Sequence, residues 1–212
     1  MIIGLSGKKQ TGKDTICNII RALDIYERVD SWTDKEQAAK AFYKGDTSLG
    51  YSIWSKHAFA DPLKKMACIL TGFPNVSFFE SAEIKNTLNA TFGVTNREIL
   101  QILGQSLRDN LCEDVWVKML IRDYHLHDKP NWIVTDIRMP NELEAIKKLG
   151  GIVIRVNRNT GYSDNHISET ALDNCTDFDY VIDNNGTIEE LIQKVIPIYD
   201  RISTIRETSK LN

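Results

Sequence analysis

Gly7-Lys8-Lys9-Gln10-Thr11-Gly12-Lys13-Asp14-Thr15 follows an apolar run, Ile2-Ile3-Gly4-Leu5, and leads into Ile16, Ile19, Ile20 and Leu23 at helical spacing. Strand, glycine loop and apolar-striped helix, in that order, form the context in which a GxxxxGK run reads as a phosphate-binding P-loop. Gly7 and Gly12 allow the backbone to curl so that successive N–H groups face an anion. A helix starting near Lys13 adds its positive end to the same spot. Lys13 then reaches the outer phosphates as a point charge. The position after the lysine is usually Ser or Thr, whose hydroxyl meets magnesium. Here it is Asp14, with Thr15 next. Asp14 can hold Mg²⁺ directly or through water, or act only as a first-turn acid on the helix dipole.

Working outward, strands and helices alternate. Lys56–Ala60 reads as a short strand. Asp61-Pro62 reads as the N-cap and first position of a helix with Leu63, Met66, Ala67 and Leu70 on its apolar face. Residues 96–110 are strongly periodic, with Ile99, Leu100, Leu103 and Leu107 on one side and Arg97, Gln101, Gly104 and Arg108 in a stripe opposite. Residues 113–125 form a further helix. The runs 132–136 and 152–156 are nearly all apolar, as strands buried in a parallel sheet are. Residues 140–149 form a helix stopped by Gly150-Gly151. After a last strand at 180–182, Thr187 caps a C-terminal helix that Pro197 is expected to kink or interrupt. This alternation predicts an α/β fold of the P-loop NTPase type, a three-layer arrangement with a parallel β-sheet flanked by helices. Residues 1–212 read as one domain, with an insertion at 27–55 that includes a short helix near 34–40.

Composition bounds the partners. The chain has 212 residues, 42% hydrophobic and 26% charged, with 26 basic and 29 acidic side chains and a net charge of −3. That balance argues against a broad nucleic-acid-coating surface or a nucleic-acid motor, while leaving room for a local basic pocket. Cys17, Cys68, Cys112 and Cys175 form no CxxC pair, so neither a zinc site nor a disulfide framework is expected, and a reducing cytoplasm fits. No apolar run approaches the length of a membrane span, and no signal-peptide pattern is visible.

Four further clusters carry chemistry. Asp136, Arg138 and Glu142 crowd the turn after the 132–136 strand, and ligands of open α/β sheets sit at such strand ends. Arg138 can grip a phosphate with its fork or pair with a neighbouring acid. The stripe of Arg97, Gln101, Gly104 and Arg108 holds no acid, and a mid-helix glycine costs about 1 kcal/mol relative to alanine, so something needs close approach there. Arg155 and Arg158, ahead of Gly161 and Asp164-Asn165-His166-Ile167-Ser168-Glu169, can neutralise a transferring phosphoryl group from a lid-like segment at 157–172. Ser168 and Glu169 read either as a helix start or, with the rest of this stretch, as neighbours of the site. Asp183-Asn184-Asn185-Gly186-Thr187 reads as a turn, with a weaker reading as the border of an adenine.

Together, GKKQTGKDT, the TNREILQILGQSLRD helix with Trp116 beyond it, TDIRMPNE, and DNHISE followed by Asn184-Asn185-Gly186-Thr187 resemble the bacteriophage deoxynucleoside monophosphate kinases. The similarity runs over nearly the whole chain in motif order, and Asp after the P-loop lysine belongs to that family's pattern. The resemblance implies transfer of the ATP γ-phosphoryl group to a deoxynucleoside 5′-monophosphate, assisted by Mg²⁺. It implies that Lys9, Gly12, Lys13, Asp14 and Thr15 serve ATP and its metal. Arg97, Gly104, Trp116, Asp136, Arg138 and Glu142 would border the acceptor, with Lys64 or Lys65 nearby. Lys13, Asp136, Arg138, Arg155 and Arg158 are the expected catalytic set. Small nucleotides are the implied partners, with neither membrane nor stable nucleic acid, and a homodimer is one form the assembly can take. Two alternatives stay open: a phosphomevalonate kinase-like enzyme, which shares the GKxxxGKD loop, and a nucleotide-binding module without chemistry.

Overall fold

The run Ile2–Ser6 forms strand β1, whose five residues are all buried. The computed structural model describes residues 1–28, 34–43, 51–127, 131–161 and 167–208. Two compact units divide the chain, one made of Met1–His57 and Lys129–Asn212, the other of Ala58–Asp128.

In the first unit β1 lies at the centre of a five-stranded sheet. The other strands are β2 (Ser55–His57), β5 (Trp132–Ile137), β6 (Ile152–Asn157) and β7 (Tyr180–Asp183), in the order β2-β5-β1-β6-β7. Every pairing is parallel, with Gly4 against Val134 on one side and Val153 on the other. Alternate residues of β1 face opposite ways. Ile3 and Leu5 join a core with Ile16, Ile20 and Leu23 of α1 (Lys13–Arg28) and Leu191, Val195 and Tyr199 of α9 (Ile188–Thr208). Gly4 faces Ile146 of α7 (Pro140–Lys148), where a side chain would collide with Ile137. Helices therefore cover both faces, and the expected α/β P-loop kinase-type architecture is the observed one.

The helix near 34–40 is α2 (Lys35–Tyr43), with Ala38 and Ala39 buried and the helix packed on α1 and α9. Residues 29–33 and 44–50 of the expected insertion lie outside the described residues. Fully buried Asp24 of α1 binds Arg28 at 3.0 Å and Arg206 at 3.2 Å. It also accepts hydrogen bonds from Ser52 Oγ and the Ile53 N–H, which ties the entry to β2 onto two helices. A buried carboxylate is tolerable only with such a full set of partners.

The second unit is inserted between β2 and β5. It holds α3 (Asp61–Thr71), a 3₁₀ turn at Val76–Glu80, α4 (Ala82–Asn86), and a two-stranded antiparallel hairpin of β3 (Leu88–Asn89) and β4 (Val94–Thr95). Helices α5 (Asn96–Asn110) and α6 (Val115–Leu126) complete it. A capping box starts α5: Thr95 Oγ1 accepts from the Glu98 N–H, and Glu98 accepts from the Thr95 N–H at 2.7 Å.

Three expectations need correction. Asp61 is the first residue of α3 rather than its cap. Its carboxylate accepts a hydrogen bond from the Ala58 N–H, and Ala60 holds the cap position. Leu70 is 47% exposed, so the buried face of α3 centres on Ala67. Helix α9 runs through Pro197 without interruption, because Val195, Tyr199 and Ile202 on either side of it are fully buried. Such packing outweighs the one backbone hydrogen bond that proline forgoes.

Candidate functional site

The loop after β1 is shaped for an anion. Gly7 adopts φ +153° and Gly12 φ +100°. A Cβ at Gly7 would come within 2.5 Å of the Val156 carbonyl oxygen, and one at Gly12 within 2.4 Å of Asn184 Nδ2. Both positions therefore exclude side chains by space as well as by backbone conformation. Gln10 is also left-handed, at φ 65°. Lys13 lies across the loop, its Nζ donating to the Gly7 and Lys8 carbonyl oxygens at 2.7 Å each. Burial first, and then the Arg138 guanidinium, lower its pKa from 10.5 to about 8, with Asp14 and Asp136 partly offsetting them and Arg155 adding to the depression.

Asp14, Asp136, Arg138 and Arg155 thus all lie close enough to this one amine to act on its charge. Arg138 pairs with Glu169. The same Glu169 carboxylate accepts the Lys9 N–H at 2.9 Å, so the guanidinium sits beside the P-loop. Glu142 is buried and turned to the backbone, its Oε2 accepting the Arg138 and Met139 N–H groups at 2.8 and 3.1 Å. It holds the turn that presents Arg138. Arg155 donates to Ser6 Oγ at 3.2 Å and to Asn157 Oδ1 at 3.3 Å, lies 3.5 Å from Asp173, and stacks over Phe178. Arg158 is exposed after β6. Asp164, Asn165 and His166 lie outside the described residues.

Asp14 lies in the first turn of α1 and its side chain is 73% exposed, with Lys56 Nζ 2.7 Å from its carboxylate. An exposed carboxylate beside a phosphate loop, followed by the Thr15 hydroxyl, is a hard-oxygen donor set that suits Mg²⁺.

In the second unit, Arg97 Nε donates to Asn86 Oδ1 at 3.0 Å. Lys64 pairs with Glu80 at 2.5 Å, while Lys65 is exposed. Gly104 is buried on the polar stripe of α5, and the close approach expected there comes from α3: a Cβ at Gly104 would meet Leu63 Cδ2 at 3.2 Å. Trp116 is 3% exposed, and its indole Nε1 donates to the Gly104 carbonyl oxygen at 3.3 Å. The mid-helix glycine thus serves the packing of three helices of this unit.

Asp173 and Lys56 carried no site reading in the sequence, and Glu169 and Asn184 were placed near the site without the contacts they make. Glu169 joins Lys9 and Arg138. Asp173 binds Lys8 at 2.8 Å. Lys56 engages Asp14. Asn184 donates its Nδ2 to the buried Thr11 carbonyl oxygen at 2.8 Å, bracing the loop from behind. No local pattern signals contacts that span so much chain.

A parallel sheet with a P-loop after its central strand and basic residues on the neighbouring strand ends defines an α/β protein of the P-loop kinase type. Residues 50–195 match the model of the deoxynucleotide monophosphate kinase family, and the chain belongs to that family. It is 36% identical over 118 residues to the deoxynucleotide monophosphate kinase of Escherichia phage RB69, an overlap of 53% of this chain and 47% of that one. It is 35% identical over 127 residues to the protein of that name from Enterobacteria phage T4, covering 57% and 51% of the two chains. A protein of Acanthamoeba polyphaga mimivirus that carries the name provisionally is 30% identical over 161 residues, 69% of this chain and 83% of that one. The chain spans about half the length of the two phage proteins it matches. The family match starts beyond the P-loop, which is recognised by its own sequence and geometry. Among the described residues no helix is long and apolar enough to cross a membrane.

Proposed function

We propose that the chain catalyses ATP-dependent phosphorylation of deoxynucleoside 5′-monophosphates to diphosphates. One observation carries this reading: an arginine from the end of β5 and a backbone N–H of the P-loop converge on a single carboxylate, Glu169. Two cationic or donor groups from distant stretches of chain thus meet at one anionic point, as joining two phosphates end to end requires. A nucleotide-binding module needs the loop alone. The family membership supplies the acceptor class.

In the proposed reaction an acceptor phosphate oxygen forms a bond to the γ-phosphorus as the bond from that phosphorus to the β–γ bridging oxygen breaks, and ADP leaves with the electron pair. The attacking oxygen is already ionised near neutral pH, so no protein base is needed. Lys9, Gly12 and Lys13 cradle the triphosphate, and Lys13 becomes fully charged as the phosphates offset its burial. Arg138 and Arg155 neutralise the oxygens of the transferring group, and Arg158 is assigned to the same charge. Asp136 orients these cations, and Glu142 acts through the turn it holds. Asp14 and Thr15 would hold Mg²⁺, which supplies charge neutralisation on the phosphates. Arg97 and Lys64 are assigned to the acceptor, and Gly104 and Trp116 act through the packing of the helix that carries Arg97.

The deciding experiment incubates the full chain with ATP, Mg²⁺ and each of the four common deoxynucleoside monophosphates, following ADP release. The expected result is acceptor-dependent ADP release with at least one of them. Turnover of phosphomevalonate alone, or ATP binding with no acceptor-dependent release, rejects the reading.

A further inference from the structure

Glu169 lies where a phosphate-binding loop presents its donors. Its side chain is only 8% exposed. One oxygen accepts the Lys9 N–H at 2.9 Å, and the other accepts the Arg138 guanidinium. A backbone N–H and an arginine fork form the kind of donor pair that binds a phosphate oxyanion, and a carboxylate has the same charge sign and acceptor geometry. Asp173, four residues on, meets a lysine side chain of the loop and the second arginine at the rim. It binds Lys8 at 2.8 Å and lies 3.5 Å from Arg155. The stretch from Glu169 to Asp173 thus sets two carboxylates against two residues of the P-loop and against the two arginines that follow β5 and lie on β6.

We propose that Glu169 is a positioning residue that acts as an internal stand-in for phosphate: its carboxylate holds the Lys9 N–H and the Arg138 guanidinium at one point and is displaced from both by the nucleotide's phosphate. The inference rests on the nucleotide reading above. Its physical basis is competition. Donors engaged by a buried carboxylate are not available to a second anion, and two like charges at one set of donors repel. Nucleotide affinity is therefore set by the difference between phosphate and Glu169 at this point, not by the loop alone. The arrangement also keeps Arg138 oriented beside the loop, so that exchange of one anion for another delivers it to the phosphate without a search through its rotamers.

The test is calorimetric titration of the full chain with ATP in the presence of Mg²⁺, for wild type, Glu169→Gln and Glu169→Asp, with thermal melting of each. Glu169→Gln keeps the shape, removes the charge, and is expected to bind ATP tighter by on the order of tenfold, because the fraction of molecules with free donors rises. Its KM for ATP falls with it. Its melting temperature is expected to fall as well, since Arg138 loses its partner. Glu169→Asp keeps the charge and stays near wild-type affinity. A merely structural glutamate would give lower melting temperature together with weaker binding. Unchanged or weaker ATP binding by Glu169→Gln, when wild type binds, overturns the proposal and leaves the kinase reading intact. If wild type itself neither binds ATP nor turns over any deoxynucleotide, the kinase reading falls and takes this inference with it. Should Glu169→Gln fail to fold, Glu169→Ser, which removes the charge and leaves a hydroxyl for the Lys9 N–H, reads the same quantity; failure of both to fold makes the residue structural and also overturns the proposal.

Discussion

Asn184 Nδ2 donates a 2.8 Å hydrogen bond to the Thr11 carbonyl oxygen, 173 residues away in sequence, and stands where a side chain on Gly12 would otherwise go. Asn184 follows β7, so the outer edge of the sheet reaches over to fix the loop that follows its central strand. Replacing it by alanine leaves a buried carbonyl without its donor, which costs about 1–3 kcal/mol. For a chain of this length that is a fall in melting temperature of roughly 2–12 °C. Asn184→Asp sets a carboxylate against the carbonyl and is expected to destabilise further and raise the KM for ATP. Thermal melts and initial rates check both. An Asn184→Asp variant that melts and turns over like wild type shows that the contact does not hold the loop.

How far such contacts can be read from sequence depends on their range. The strand, loop and helix from Ile2 to Leu23 were legible because apolar periodicity and glycine placement are local signals. The same holds for β5 and β6, which are nearly continuous apolar runs, and for α5, a long run of helical period. The hairpin of β3 and β4 was not legible, since each strand is two residues long and shows no alternation. Gly104 was half legible. Its cost in a helix signalled close approach, but not that Leu63 is what approaches. Arg138 was picked out by its place at a strand end, whereas its partner Glu169 lies 31 residues on, in a helix of four residues. Helix α9 shows the converse: a strong local breaker, Pro197, is overridden by buried neighbours that only the tertiary structure supplies.

Lys13 couples the site to pH. Burial and Arg138 bring its pKa down to about 8, so holding it charged costs on the order of 3 kcal/mol. Between pH 8 and 10.5 the unfolded chain binds this proton more than the folded chain does. Stability contributed at this residue therefore rises with pH through that window and is constant below it. Urea unfolding in EDTA is expected to show wild type gaining stability relative to Lys13→Met as pH goes from 7 to 10. A constant difference across that range contradicts the burial argument. Turnover of Lys13→Met is expected to fall by at least about a hundredfold, because it loses a charge aimed at the transferring group.

Gly104→Ala separates packing from binding in the second unit. The added methyl meets Leu63 Cδ2 at 3.2 Å, the end of a flexible side chain. Helix propensity favours alanine by about 1 kcal/mol. The two effects nearly offset, so stability is expected to stay within about 1 kcal/mol of wild type by chemical unfolding. A rise in the KM for the acceptor without change in the KM for ATP would mark Gly104 as a substrate contact. Unchanged kinetics would assign it to helix packing alone. Trp116→Ala, in contrast, removes a buried indole and is expected to destabilise by about 3–5 kcal/mol.

Arg138 distinguishes the two substrates. Its guanidinium sits beside the P-loop through Glu169, yet the loop's own N–H groups and Lys13 remain to hold ATP when it is removed. Arg138→Ala is therefore expected to lower kcat/KM for the acceptor by on the order of 10³, since a charge on the transferring group is lost, while ATP affinity changes only several-fold. Arg138→Lys should recover part of the rate at most, because an ammonium cannot bind two phosphate oxygens in a fork. Initial rates with each substrate varied in turn measure both quantities. Equal losses for the two substrates would make Arg138 a shared structural prop of the loop, and full recovery by lysine would mean that its charge, rather than its planar geometry, is what the reaction uses.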